Sequence, residues 1–388
     1  MTGQGEKRFI PYGRQSLDED DIAAVVEVLR SDWLTTGPKV HEFEQALAET
    51  AGTAEAVVVS NGTAALHAIA YAMGIQPGDE VIVTPITFAS SANCVAFLGA
   101  SPVFADVDPA TLCIDPSAVE RRITDRTKAI IAVDYAGQPC DYDALQKIAD
   151  DHGLILIDDG CHAIGGTYKQ RPVGSLAKAT AFSFHPVKHV ATGEGGAVAT
   201  DDADFAARVR LFRNHGITTD FRQREASGSW FYEMVDLGFN YRLTDIQCAL
   251  GVSQLKKLPW SIRRRQEIAA VYRQAFSEIE GITPLAVRPD VSHAYHLFVV
   301  QVDAERAGIG RPDLFNALRA GGIGVNVHYI PVHLHPFYRN TYGTKPGDCP
   351  VAEAAYERII SLPMYPAMTD DDVQYVIAAV RDALVSRG

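Results

Sequence analysis

Lys188 is the side chain with the clearest chemical potential, because it lies in a glycine-rich turn between two short apolar runs, 181–184 and 197–200. Serine, histidine, threonine and glutamate surround it in the sequence. Burial disfavours the ammonium form of lysine, and a neutral amine can attack a carbonyl carbon to form a Schiff base. The alternative is a solvated surface lysine near a strand end. Residues elsewhere in the chain must distinguish a Schiff-base lysine from such a surface lysine.

A candidate phosphate cradle is the tetrapeptide Ser-Asn-Gly-Thr at 60–63, which separates an apolar run, 57–60, from a helical pattern, 64–73. Glycine in such a turn lets backbone N–H groups face an anion, and the helix dipole adds to the attraction. The alternative is a tight strand-to-helix turn with an Asn or Thr cap. Ser183, five residues before Lys188, is a second candidate phosphate donor.

Two adjacent carboxylates, Asp158 and Asp159, follow another apolar run. Their mutual repulsion predicts a nearby cation. A metal site and a helix cap with one solvated aspartate are the alternatives; the metal is disfavoured because no second ligand cluster has suitable spacing. Phe88, after the run at 80–84, could stack on a planar ring, although phenylalanine is more often plain core.

A phosphate cradle, a carboxylate, an aromatic platform and a lysine form the set that pyridoxal 5'-phosphate (PLP) requires. Its phosphate anchors the ring, its aldehyde forms an imine with lysine, and an aspartate keeps the pyridinium nitrogen protonated. The set predicts a PLP enzyme.

The elements that must position these residues alternate between strand and helix after two N-terminal helices, 18–31 and 40–51. Short Val- and Ile-rich runs separated by helices predict a mostly parallel sheet covered on both faces, which binds ligands at the carboxyl ends of its strands. The predicted strands are 57–60, 80–84, 103–106, 129–134, 154–158, 181–184 and 197–200, with helices at 64–73, 90–98 and 142–152.

The pattern changes after residue 216, where a loop to 238 leads into a capping box at 244–247. This box predicts a helix to about 258, and Pro259 predicts the start of a separate helix, 262–279. Strands at 295–302 and 324–329 and helices at 312–320, 350–359 and 369–386 follow. We therefore predict a large PLP-binding domain, 1–258, and a small C-terminal α+β domain, 259–388.

Composition limits the classes of function. The formal net charge of −13 argues against non-specific nucleic-acid binding, which requires a basic face. Six scattered cysteines without a C-x-x-C pair indicate a reducing compartment and neither a disulfide frame nor a zinc site. Neither a membrane-spanning apolar run nor a signal-peptide pattern is found, so we expect a cytoplasmic protein with no membrane partner.

The chain resembles the DegT/StrS-type family of PLP-dependent sugar aminotransferases over nearly its whole length. The matching stretches are 60–67 (SNGTAALH), 77–83 (PGDEVIV), 99–104 (GASPVF), Asp158-Asp159, 182–185 (FSFH), Lys188, 193–197 (GEGGA) and 238–245 (GFNYRLTD).

This resemblance implies a fold-type-I transferase, usually a homodimer with active sites at the subunit interface. It implies that Lys188 is the Schiff-base lysine and that Asp159 pairs with the pyridinium nitrogen. The other implied cofactor contacts are Gly62, Thr63 and Ser183 on phosphate, Phe88 on the ring, and Asn240 on the neighbouring subunit's phosphate. His162 stands where the broader family commonly has Gln against the ring hydroxyl, and the resemblance implies that His162 makes this contact here. Some relatives carry His in place of the lysine and perform dehydration, and Lys188 speaks against that branch.

The segment 324–338 and the Asp-Tyr-Ala-Gly at 134–137 resemble the pseudaminic-acid branch of the family, whose members aminate C4 of a UDP-linked 4-keto-6-deoxy-N-acetylhexosamine with L-glutamate. His328, His333 and His335 in the first segment could suggest metal, but clustered histidines alone fix no coordination geometry. Candidate substrate contacts are Arg213, His215, Arg242, His328 and Tyr329. The first three could equally form surface or intersubunit ion pairs.

Two alternatives stay open. Aminotransferases for other dTDP- or GDP-linked 4- or 3-keto sugars share all the cofactor residues, so those residues do not separate the substrates. A non-catalytic regulatory protein on the same fold would also carry these motifs.

Overall fold

A computed structural model describes residues 8–219 and 221–385. The helices are α1 (Glu19–Leu29), α2 (Pro38–Ala51), α3 (Gly62–Ala72), α4 (Ser90–Ala96), α5 (Pro116–Glu120), α6 (Tyr142–His152), α7 (Ala203–Arg213), α8 (Phe221–Ser227), α9 (Asp245–Ser277), α10 (Ala304–Ala307), α11 (Arg311–Ala320), α12 (Pro336–Tyr342), α13 (Pro350–Tyr356) and α14 (Asp370–Val385). The strands are β1 (Glu55–Val59), β2 (Glu80–Val83), β3 (Ser101–Phe104), β4 (Thr127–Val133), β5 (Ile155–Asp159), β6 (Thr167–Tyr168), β7 (Arg171–Pro172), β8 (Thr180–Ser183), β9 (Gly196–Thr200), β10 (Ile282–Pro284), β11 (Val291–Ser292), β12 (Phe298–Val302) and β13 (Ile359–Leu362).

The centre of the fold is a seven-stranded sheet in the order β1-β9-β8-β5-β4-β2-β3. Strands β3, β2, β4, β5 and β8 are parallel, whereas β9 runs antiparallel to both of its neighbours. Most strand side chains are buried on both faces, which explains the near-continuous apolar runs. The predicted mostly parallel seven-stranded α/β sheet is confirmed, and the connection between β8 and β9 carries Lys188.

The predicted helix break at Pro259 is wrong, because α9 continues through it from Asp245 to Ser277. Its first residues are held by the expected capping box of Thr244 and Gln247. Proline removes a backbone donor and disfavours a helix interior. Here packing outweighs that local signal, because α9 buries Leu258 in the core of the large sheet and Tyr272 in a second core.

The predicted strand at 324–329 is also wrong. Its backbone forms single bridges with two different partners, Ile323 with Ile10 and Asn326 with Ser361, and therefore does not extend into a ladder. The predicted helix at 350–359 ends at Tyr356, and β13 begins at Ile359. β13 pairs with β12 in a three-stranded sheet with β10.

Two hydrophobic cores are present. One surrounds the large sheet, and the other collects the end of α9, β12, β13, α11 and α14 together with Ile10 from the N-terminal segment. Because α9 contributes to both cores, the division of the chain at residue 258 falls within a continuous helix and stays a prediction. Among the described helices, none is long and apolar enough to cross a membrane.

Candidate active site

A cavity of about 560 Å³ lies at the carboxyl ends of the central strands, where the sequence predicted ligand binding. Nine of the predicted site residues line it: Gly62, Thr63, Phe88, Asp159, His162, Ser183, Lys188, His328 and Tyr329. These residues come from sequence positions more than 260 residues apart, and the sheet brings them together. The volume falls in the usual range for small-molecule and cofactor sites.

Lys188 is half-buried in the wall of the cavity. Burial lowers the pKa of its amine, while nearby Cys161 and Asp159 oppose that shift. The backbone around it is held closely: a Cβ on Gly196 would lie 2.5 Å from the carbonyl carbon of Asn61, so only glycine lets β9 pack against the turn before α3. The lysine turn and the candidate phosphate cradle are therefore one packed unit.

The cradle is the first turn of α3. Asn61 caps the helix, since its Oδ1 accepts the backbone N–H of Ala64 at 2.8 Å. Gly62 and Thr63 lie in the same turn, where helix N–H groups have no intrahelical acceptor. A Cβ on Gly62 would approach the Ser183 Cβ to 2.9 Å, so the serine hydroxyl lies beside this turn. The helix cap and the anion site, which the sequence offered as alternatives for this turn, are compatible. Capping by Asn61 leaves the first two N–H groups of α3 available to an anion.

Asp159 ends β5 and is oriented by Ser91. The Ser91 hydroxyl donates to Asp159 Oδ2 at 2.6 Å, and the Cys161 backbone N–H donates to Oδ1 at 3.3 Å. The adjacent Asp158 points to the opposite face of the sheet, as alternation along a strand requires. Lys188 lies near Asp159, whose charge raises the pKa of the lysine amine and opposes the larger, lowering effect of burial. The expectation of a cation beside the two carboxylates stays a prediction.

His162 and Tyr329 contact each other in the cavity lining. His162 Nε2 and the Tyr329 hydroxyl lie 3.1 Å apart, and their rings are stacked. Burial, with Lys188 and His328 nearby, lowers the pKa of His162 well below its ordinary value, so the imidazole is neutral. Phe88 is 60% exposed within the cavity lining, which rules out the plain-core alternative for this residue.

His328 lines the cavity as a neutral imidazole whose pKa burial lowers to about 4. Its Nδ1 lies 2.8 Å from the Ser361 hydroxyl, and its Nε2 lies 3.3 Å from the Asn326 amide nitrogen. His333 is instead paired with Glu353 at 2.9 Å, and His335 precedes α12. Within residues 8–219 and 221–385, no group of three or more His, Cys, Asp or Glu side chains is arranged to hold a metal ion.

Four predicted residues lie outside the cavity lining. Arg213 donates to Glu44 Oε1 and to the Val58 carbonyl, both at 2.7 Å. Arg242 donates to Asn214 at 2.7 Å, while His215 and Asn240 are exposed. The roles of these four in substrate or intersubunit contacts stay predictions.

The structure also places residues in the site that the sequence motifs did not single out. Tyr12, Asn326 and His296 line the cavity, and the His296 ring centroid lies 4.3 Å from that of His162. Ser91, behind the cavity wall, orients Asp159. No motif marks these residues because they join the site only through tertiary packing.

The chain belongs to the DegT/DnrJ/EryC1/StrS aminotransferase family, whose profile matches residues 15–381. It is therefore a PLP-dependent nucleotide-sugar aminotransferase and an enzyme, not a non-catalytic protein on the same fold. Its fold is that of the PLP-dependent aminotransferases of this family.

Three relatives show how similar the chain is to particular proteins. The spore coat polysaccharide biosynthesis protein SpsC of Bacillus subtilis is 46% identical over 381 residues, which are 98% of each chain. PseC of Helicobacter pylori, an aminotransferase of pseudaminic acid biosynthesis, superposes with a TM-score of 0.91 at 35% identity, covering 98% of this chain and 100% of PseC. The PLP form of Spr1654 from Streptococcus pneumoniae superposes with a TM-score of 0.90 at 32% identity, covering 97% and 99%.

The residues present fit PLP. A half-buried lysine, an oriented carboxylate, a helix N-terminus beside a serine hydroxyl, and an exposed aromatic ring line one cavity of suitable volume. The close approach of Gly62 to Ser183 leaves no room for a side chain in the cradle.

Proposed function

We propose that this enzyme transfers the amino group of L-glutamate to C4 of a UDP-linked 4-keto-6-deoxy-N-acetylhexosamine, as in pseudaminic acid biosynthesis. The substrate would be UDP-2-acetamido-2,6-dideoxy-β-L-arabino-hexos-4-ulose, with 2-oxoglutarate as co-product. The observation that carries the proposal is the single cavity in which Lys188, Asp159 and the first turn of α3 meet the 326–329 segment.

PLP would be held by this chain's own groups at three points. Gly62, Thr63 and Ser183 would bind the phosphate, and Asp159 would hold a proton on the ring nitrogen. Phe88 and His162 would contact the ring and its hydroxyl. When bound, the cofactor supplies an electron sink for the carbon that loses or gains a proton.

Lys188 would move that proton. Its amine lies in the cavity wall, and burial lowers its pKa, which favours the neutral form that can accept a proton and return it to a nearby carbon. Ser91 keeps the Asp159 carboxylate in one orientation through a 2.6 Å hydrogen bond. Neutral His162 can donate or accept a hydrogen bond without placing a positive charge beside Lys188.

The sugar would bind between the part of the cavity lined by Lys188 and Asp159 and the part lined by residues 326–329. Tyr329 and His328 present a hydroxyl and an imidazole there, which are suited to sugar hydroxyl or acetamido groups. The likeness to PseC and the resemblance of segment 324–338 to the pseudaminic-acid branch support the UDP-linked keto sugar. SpsC, the relative at 46% identity, is named for spore coat polysaccharide biosynthesis and not for a particular sugar, so the substrate is tested directly.

We also propose that the enzyme is a cytoplasmic homodimer with shared active sites. Seven large apolar side chains are exposed on one stretch, which we call the aromatic segment: Trp230, Phe231, Tyr232, Met234, Val235, Leu237 and Phe239. So many contiguous exposed apolar groups are typical of a protein–protein contact. Asn240 directly follows this segment and would reach the phosphate bound by the partner subunit.

The substrate proposal is tested with a panel of UDP-, dTDP- and GDP-linked keto sugars, each incubated with enzyme, PLP and glutamate while 2-oxoglutarate release is measured. We expect the UDP-linked 4-keto N-acetyl sugar to have the highest kcat/KM. A clear preference for a dTDP- or GDP-linked sugar without the 2-acetamido group would overturn the substrate and leave the aminotransferase class intact.

A further inference from the structure

Behind the cofactor pocket lies a second, fully buried carboxyl group that the mechanism does not use. Asp158 is 0% exposed and precedes Asp159 on β5, with its side chain on the opposite face of the sheet. Its backbone neighbours across the sheet are Ala132 on β4 and Thr180 on β8. Asp134, two residues beyond Ala132, places a second buried carboxyl group on the same face.

The Thr180 hydroxyl shows where a proton is needed. Its Oγ1 lies 3.1 Å from Asp158 Oδ2 and 3.2 Å from the Gly174 carbonyl oxygen. A carbonyl oxygen only accepts, and an ionised carboxylate also only accepts, but a hydroxyl has a single hydrogen. If Asp158 were ionised, one of these two contacts would join two acceptors. A proton on Asp158 Oδ2 completes both, because Asp158 donates to Thr180 and Thr180 donates to Gly174.

Asp134 is also fully buried, and burial raises its pKa well above the ordinary value. It differs from Asp158 in its donors, because its Oδ1 accepts the Cys140 backbone N–H at 3.0 Å and the Tyr142 hydroxyl at 2.9 Å, and such donors favour the ionised form. Over residues 8–219 and 221–385, neither Asp134 nor Asp158 has a Lys, Arg or His within ion-pair distance. Two uncompensated charges at this depth would be costly, and one proton on the pair removes that cost.

We propose that Asp158 is a neutral carboxylic acid in the folded protein at neutral pH, and that its proton links β5 to β8 through Thr180. Asp158 is then a positioning residue: it fixes the end of β5 that carries Asp159 without placing another negative charge behind it. The proton's place follows from the contacts of Asp158 alone, whereas its consequence for Asp159 rests on the proposed function.

The groups that face Asp158 agree with this assignment. Burial and the charges of Asp134 and Asp159 raise its pKa well above the ordinary value, while contacts with Tyr142 and Thr180 oppose the shift. The charge of Asp158 also acts on Cys140 and Cys161. The pKa of the Cys140 thiol is raised by its hydrogen bond with Cys113 and by burial, and that of Cys161 is raised chiefly by burial. None of these neighbours supplies a positive charge to stabilise an ionised Asp158.

Infrared spectroscopy of the protein without added cofactor, labelled with ¹³C-aspartate, tests the proposal independently of activity. We expect an isotope-sensitive carbonyl band of a protonated carboxyl group at neutral pH. The band should disappear in Asp158→Asn and persist in the matched variant Asp134→Asn. Absence of the band from the wild-type protein, or its loss only in Asp134→Asn, would overturn the assignment.

The pH dependence of stability gives a second readout. Because the pKa of Asp158 is raised on folding, the folded state binds one more proton than the unfolded state between the unfolded and folded pKa values. Stability should therefore fall as pH rises through that window, by about tenfold in the unfolding equilibrium constant per pH unit. Asp158→Asn, whose amide can still donate to Thr180, should lack this component between about pH 5 and 7. Equal pH slopes in both proteins would contradict the proposal.

Discussion

The cofactor pocket and the aromatic segment at 230–239 differ in how many contacts their side chains make within a single chain. In the pocket, Ser91 holds the Asp159 carboxylate, and Asn61 caps the first turn of α3. On the aromatic segment, Trp230 is 85% exposed and Leu237 is 70% exposed. The contacts that hold Asp159 and the cradle therefore form within one chain, whereas the exposed apolar surface next to Asn240 suits the partner subunit that we propose.

The largest effect should come from Lys188→Ala. Removing the proton-transferring amine should lower kcat by about 10⁴-fold or more, while PLP still binds through its phosphate contacts. Turnover with glutamate and binding of PLP are measured together. The surface lysine Lys178, which pairs with Asp202, supplies the matched control, and Lys178→Ala should change kcat by less than about twofold. Near wild-type turnover in Lys188→Ala would refute the assignment.

Asp159→Asn should lower kcat by roughly 10²- to 10³-fold, because the neutral amide no longer favours a proton on the ring nitrogen. Ser91→Ala removes only the hydroxyl that orients this carboxylate, so its loss should be about tenfold. Both variants are compared by kcat at saturating glutamate and keto sugar. A greater loss of kcat in Ser91→Ala than in Asp159→Asn would mean that the Asp159 carboxylate is not the group that favours a proton on the ring nitrogen.

A smaller effect is expected at Arg213, which lies outside the pocket and pairs with Glu44 in a mostly buried contact. Arg213→Met should lower the free energy of unfolding by about 2 kcal/mol, with KM for the nucleotide sugar unchanged. A double-mutant cycle with Glu44→Gln measures the coupling. A tenfold rise in KM without loss of stability would instead show that Arg213 contacts the substrate, as predicted from the sequence.

Much of the fold was predictable because its signals are local. The seven central strands are near-continuous apolar runs, and each lies within three residues of its predicted position. The glycine-rich lysine turn and the Asn-Gly-Thr cap can also be recognised from residues that are adjacent in sequence.

Other features depend on distant packing and could not be predicted locally. Pro259 predicts a helix break, yet contacts with two cores keep α9 continuous. The segment 324–329 has strand-like composition, but its partners Ile10 and Ser361 are far away in sequence and offer only single bridges. Ser91 and His296 enter the site through tertiary contacts that no motif marks.

The central claim is that one chain supplies Lys188 and Asp159 to its pocket, while Asn240 from the neighbouring subunit completes the active site. Mixing Lys188→Ala and Asn240→Ala proteins, with subunit exchange followed by mass spectrometry of differently tagged chains, tests it most directly. Each hybrid dimer would regain one intact site, so random exchange should restore about one quarter of wild-type activity. If hybrids form and activity stays at the level of the separate variants, the shared-site claim is contradicted.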